Sequence, residues 1–156
     1  MLLESTGVTA SVPQPAVEHG SFAAGALEAR PFDIGIKIIK WELKEYIVAE
    51  TAANAAGCYG CQLWIDSTIP VSSNGAEYAT RSDLALLSCD CRALVARLQT
   101  KSFCVLFAVA HGPHIGSGET TSIDVFWENL QSVVARYPRA TDAVIPLADA
   151  NARIRA

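Results

Sequence analysis

A single mixed α and β domain, of α/β (α+β) class, is what this sequence predicts, and three observations predict it. Apolar runs with strand composition, such as "FCVLFAVAH" at 103–111, alternate with clusters of turn formers. After residue 121 the apolar period changes from that of a strand to that of a helix. The chain has 156 residues, 51% of them hydrophobic, which is enough for one domain with a core of its own.

Taken in order, residues 1 to 24 mix Ser, Thr, Pro, Ala and Gly without a sustained period and read as a flexible lead-in, with the domain occupying 25–156. "PFDIGIKIIKWELKEYIVAE" alternates around Trp41, Leu43 and Tyr46 to Val48, so a strand is expected, with a helix over Ile34 to Leu43 as the alternative. "GCYGCQLWID" is a Gly turn feeding a strand, and "IPVSSNGAEYATRSD" is a loop. "LALLSCDCRALVARL" holds two short apolar runs broken at Cys89 to Arg92, and with "FCVLFAVAH" it suggests an antiparallel meander.

Beyond the polar loop "GPHIGSGETTS", the residues Ile123, Phe126, Trp127, Leu130 and Val134 share one helical face, with Thr121 expected as the cap three residues before Asp124. "TDAVIPLAD" then reads as a buried closing strand, so the C-terminal part is strand, loop, helix, strand.

The formal net charge of -4 gives no global basic field, so a nucleic-acid partner would have to be held by a local patch or a metal. No uninterrupted apolar run of about 18 residues is present, and Glu4 stands where a signal sequence needs apolar residues. An intracellular chain, nuclear or cytoplasmic, is therefore expected. Its five cysteines are an odd number beside strand-like segments, which fits reduced thiols. Cys58-x2-Cys61 with Cys89-x-Cys91 offers four sulfurs, but the second pair is too close for the usual zinc spacing, and small residues packed in a sheet are the simpler account.

Polar residues that could carry chemistry stand at the ends of apolar segments: Glu28, His111, His114, Asp149 and Asn151. Asp149 and Asn151 are two apart, so on an extended chain they point to one side. A carboxylate such as Glu28 can hold a hard divalent cation, and Asp with Asn can orient a water or a phosphate oxygen beside it. Each has an ordinary alternative: Glu28 as an exposed acid, Asp-x-Asn as a turn bonding its own backbone, His111 as the end of a strand.

In order along the chain, "LEAR", "YGCQLWI", "VAHGPH", "DVFWENL" and "LADANAR" resemble the DNase-I-like endonuclease/exonuclease/phosphatase family, especially the endonuclease domains of LINE-type retroelements. The likeness runs from Leu27 to Arg153. It implies a DNase-I-like β-sandwich flanked by helices. It also implies Glu28 as the ligand of Mg2+ (or Mn2+), His111 at the scissile phosphate, Asp149 positioning the attacking water and Asn151 bonding the phosphate. Arg30, His114 and Arg153, which lie in the same motifs, would contact substrate. Leu27, Gly112, Ala148 and Ala150 depart from the family's usual Gln, Ala, Gly and aromatic residue.

The family's early Asn-bearing strand and its closing Ser-Asp-His segment have no counterpart in this sequence, so the expectation is a partial domain whose second half is missing. The function implied is a metal-dependent phosphodiester hydrolase acting on DNA, of low or no activity. The alternatives are a non-catalytic remnant or binding module that self-associates through an exposed sheet edge, and a phosphatase of the same fold acting on a phosphoinositide or sphingolipid.

Overall fold

Strand-forming residues dominate the body of the chain, and they pair into two four-stranded sheets. The computed structural model describes residues 23–27, 34–54, 60–113 and 122–149. The first sheet has the order β1-β4-β3-β2, from β1 (Ala23–Leu27), β2 (Gly35–Trp41), β3 (Lys44–Glu50) and β4 (Cys61–Asp66), all antiparallel. The second has the order β5-β6-β7-β8, from β5 (Leu84–Cys89), β6 (Ala93–Gln99), β7 (Cys104–His111) and β8 (Asp142–Asp149). The meander β5-β6-β7 is antiparallel as expected, whereas β8 runs parallel to β7. A parallel neighbour needs a long crossover, and the helix α1 (Ile123–Val134) lies within it.

Apolar side chains of both sheets meet between them. Ile47, Ala49, Leu63 and Ile65 of the first sheet pack with Leu94, Ala96, Leu98, Val105, Phe107 and Val109 of the second. Full burial of each larger one contributes about 1.5–3 kcal/mol. β3 and β4 also bury their other face, where Tyr46, Val48 and Trp64 cluster and the Tyr46 and Trp64 rings meet edge to face at 5.6 Å. The polar atoms of that face are satisfied in a chain: Trp64 Nε1 donates to Gln62 Oε1 (3.0 Å), Gln62 Nε2 to Glu50 Oε2 (2.9 Å), and Lys37 Nζ lies 2.6 Å from Glu50 Oε1.

Four expectations are corrected. Residues 35–50 are a hairpin of two strands, neither one strand nor a helix over Ile34 to Leu43. Trp41 pairs with Lys44 across a two-residue loop in which Glu42 takes a φ of 54°, the left-handed conformation such loops require. β1 starts at Ala23, within the stretch read as a lead-in. The cap of α1 is Ser122, whose Oγ accepts from Val125 N at 3.2 Å, rather than Thr121, which lies outside the described residues. β8, expected to be buried, is the edge of its sheet, with Val144 and Ile145 45% and 40% exposed on its two faces. A run such as "AVIPLA" has the composition of a strand covered on both faces, yet no strand pairs with its outer side among the described residues.

Among the described residues the helical elements are α1 and a 3-10 turn at Arg81–Asp83, and α1 has no fully buried residue. Its apolar face is half-buried, as are Phe126 and Trp127, whose rings meet edge to face at 5.0 Å.

What fixes the start of β8 is a set of bonds around Arg97 of β6. Its guanidinium donates to Asp142 Oδ2 (3.1 Å from Nη2) and to Tyr137 O, while Arg139 N donates to Asp142 Oδ2 (2.9 Å) and the Tyr137 hydroxyl to Leu87 O (3.1 Å). The register pairs Cys104 with Asp142 and continues residue by residue to the far ends of both strands.

Candidate active site

Those far ends are His111 and Asp149, which are register partners. Alternation of side chains along a strand decides where they point. Val105, Phe107 and Val109 face the core, so His111 continues their face; Leu147 packs on the same core, so Asp149 continues its face. Both side chains therefore lie on the inner side of the second sheet, at one end of the sandwich. His111 is 1% exposed, whereas Asp149 is exposed. The chain beyond β7 is held there, since Gly112 N donates to Asp149 O at 2.8 Å.

From the first sheet, the start of β4 reaches the same end. Cys61 N donates to Thr51 Oγ1 and Thr51 N to Cys61 O, each at 2.9 Å, which closes the β3 and β4 ends together. Leu27, the last residue of β1, pairs with Cys61, so β1 runs toward this end and Glu28 is the next residue in the chain. Glu28 itself, with Arg30, His114, Asn151 and Arg153, lies outside the described residues, as does Cys58. Of the residues expected at the site, the structure thus brings together His111 and Asp149.

The turn between β5 and β6 completes this end. Asp90 Oδ1 accepts from Arg92 N (2.7 Å) and Ala93 N (2.8 Å), and Asp90 N donates to Ala93 O (2.8 Å). The turn bonds both sheets: Gly60 N donates to Cys91 O and His111 N to Arg92 O, each at 2.8 Å. Arg92 Nη1 lies 3.4 Å from His111 O.

Cys61 senses these neighbours. Burial pushes its thiol up to about 12, with the charges of Asp90 and Cys91 adding to the rise and the main chain of His111 and the Arg92 guanidinium opposing it. Cys61, Cys89, Cys91 and Cys104 are free thiols. Among the described residues no group of three or more His, Cys, Asp or Glu side chains is placed to hold a metal ion. Asp149 is the described carboxylate beside His111, and it has the hard oxygen donors that Mg2+ prefers.

Sequence reasoning overlooked Arg92. The available signal was "DCR" between two apolar runs: Asp favours a turn that bonds its own backbone, which fixes the place of the residue two further on.

No protein-family model, no curated protein and no solved structure matches this chain. Fold and site together define an α+β protein of two facing sheets with a polar site at the strand ends. Neither helix of the described residues is long and apolar enough to cross a membrane.

Proposed function

We propose that the chain is a phosphodiester hydrolase of DNase-I-like kind, with DNA as its substrate and Mg2+ or Mn2+ as its cofactor. The observation that carries this reading is the pairing of His111 with Asp149 on one face of adjacent strand ends. Two groups suited to phosphoester chemistry, 38 positions apart in sequence, are register partners at one end of the second sheet.

In this reading the exposed Asp149 carboxylate accepts a hydrogen bond from the attacking water and aligns it with the phosphorus. His111, expected from the resemblance at the scissile phosphate, is 1% exposed and held by the core, so in this reading it backs Asp149 rather than touching the phosphate itself. Asn151, two residues past Asp149, bonds the phosphate, and Glu28 ligates the cation, whose contribution when bound is to stabilise charge developing on the phosphate. DNA is preferred over a phosphoinositide or sphingolipid because the segments "YGCQLWI" and "HGPH" resemble those of retroelement endonucleases.

Plasmid nicking in Mg2+ tests the reading, with Glu28→Gln and Asp149→Ala beside the wild-type chain. Nicking by the wild type that both variants lose supports it. Equal nicking by all three, or none by the wild type, overturns it.

A further inference from the structure

We propose that a cleft at the start of β8 binds a small phosphomonoester, its phosphate group held by Arg97, Lys101 and Arg139. This site is independent of the hydrolase reading and distant from His111. Asp142, which anchors Arg97, and Asp149 begin and end β8, roughly 23 Å apart at the rise of a strand.

Alternation along the strands builds the cleft. Leu84, Leu86, Ala96 and Leu98 turn to the core, so Ala85, Arg97 and Gln99 between them stand on the outer face of the second sheet. Together with Leu87, Lys101 and Arg139 they line a cleft of about 590 Å³, a size suited to a small molecule.

Arg97 is its fixed member, only 8% exposed. Nε and Nη2 donate to Asp142 Oδ2, and Nη2 also to Tyr137 O. Nη1 makes no hydrogen bond among the described residues, in a side chain that lines the cleft, so its acceptor must come from the cleft itself, as water or as ligand.

Lys101 and Arg139 bring charge from positions that their own backbones fix. Lys101 N donates to Glu77 Oε1 (2.7 Å) and Arg139 N to Asp142 Oδ2 (2.9 Å). The Arg139 guanidinium donates through Nη1 to the neutral Gln99 Oε1 (3.0 Å), and Lys101 Nζ makes no hydrogen bond or ion pair among the described residues. Two guanidinium forks match phosphate oxygens, and an ammonium adds a point charge.

The acids nearby are engaged with the protein: Asp142 with Arg97, Asp83 with the amide and hydroxyl of Thr80, and Glu77 with Lys101 N and Ser102 Oγ. Their charges offset the cations at a distance, so the cleft selects an anion at contact, by N–H donors, rather than by a long-range field. A phosphomonoester is largely a dianion above pH 7, which suits three donors better than a single carboxylate does. Ala85 and the half-buried Leu87 give an apolar wall for the organic part of an ester, which inorganic phosphate lacks.

The test is calorimetric titration of the full chain with phenyl phosphate, inorganic phosphate and succinate, at one ionic strength and with a chelator present. The wild type is compared with Lys101→Gln and Arg139→Gln, whose folding is checked by thermal melts. Expected is one phenyl phosphate per chain, bound about tenfold more weakly by each variant, the loss of one charge-assisted bond. No binding by the wild type, or binding that both variants keep in full, overturns the site. Succinate binding as tightly as phenyl phosphate overturns the phosphate class, and inorganic phosphate doing so overturns the ester. The nicking test of the strand-end site is unaffected by any of these results.

Discussion

His111 and Asp149 are register partners across the one parallel pairing of the described strands, and their side chains share its inner face. A residue that is almost wholly buried thus stands beside one that reaches solvent. Burial holds the imidazole in a fixed place, while the aspartate reaches the surface. Neither property is intrinsic to the residue type. Both follow from β7 lying inside its sheet and β8 at the edge.

Replacing Asp149 by Asn keeps size and hydrogen-bonding reach but removes the charge that, in the proposed hydrolase, orients the attacking water. Initial nicking rates with Mg2+ are expected to fall by about 10²- to 10⁴-fold. The affinity for DNA should change little, because a carboxylate facing a phosphate contributes no attraction. A variant that loses affinity and keeps its turnover rate would make Asp149 a binding residue instead.

Acid is expected to destabilise the fold through two aspartates. Burial opposes ionisation of Asp66, but Lys44 Nζ at 2.8 Å and the Thr68 hydroxyl and amide outweigh it and hold the carboxyl below its usual range. The Cys104 thiol, the Arg139 amide and Arg97 do the same for Asp142. Both pKa values are lower folded than unfolded, so their contribution is present above the unfolded value of about 3.9 and is lost as pH falls through the folded values. The unfolding temperature should be level from pH 7 to about 5 and drop below about pH 4. Lys44→Met should make that drop less steep; an unchanged acid limb would remove Asp66 from the account.

Much of this architecture was legible in the sequence. β4, the meander and α1 announce themselves by period and by the turn formers between them, and His111 and Asp149 by closing apolar runs. What escaped depends on pairing. "WELK" has no Gly, Asn or Asp to mark a turn, so the β2-β3 hairpin read as one element until Glu42 adopted its positive φ. An apolar run such as β8 has the same composition in the middle of a sheet as at its edge. The adjacency of His111 and Asp149, and the place of Arg92 beside them, come from register and turn contacts that no local pattern encodes.

Cys61 should resist alkylation in the native chain. It is fully buried, and with its thiol pushed up to about 12 the thiolate fraction at pH 8 is only about 10⁻⁴. Iodoacetamide followed by peptide mass analysis should show Cys61 unmodified in buffer and modified in denaturant, while half-buried Cys89 and Cys91 react earlier. Early labelling of Cys61 would mean that the strand-end site opens in the folded protein, at odds with the Thr51 bonds that close it.

The last prediction concerns the outer edge of β8, where the sequence led to an expectation of self-association. In a parallel ladder, a residue that accepts from its neighbour also donates to it, and residues alternate between the two sides. Asp149 accepts from Gly112, so Asp149, Leu147, Ile145 and Ala143 bond β7, while Ala148, Pro146 and Val144 present their backbone to the open side. Pro146 has no N–H to offer there, which removes the central donor from any strand that might add. Proline thus protects an edge that its exposed Val144 and Ile145 would otherwise make adhesive. Pro146→Val restores the donor and raises strand propensity without disturbing the bonds to β7. Sedimentation or light scattering should find larger species for this variant at concentrations where the wild type shows fewer; identical size distributions would show that the proline is not what guards the edge.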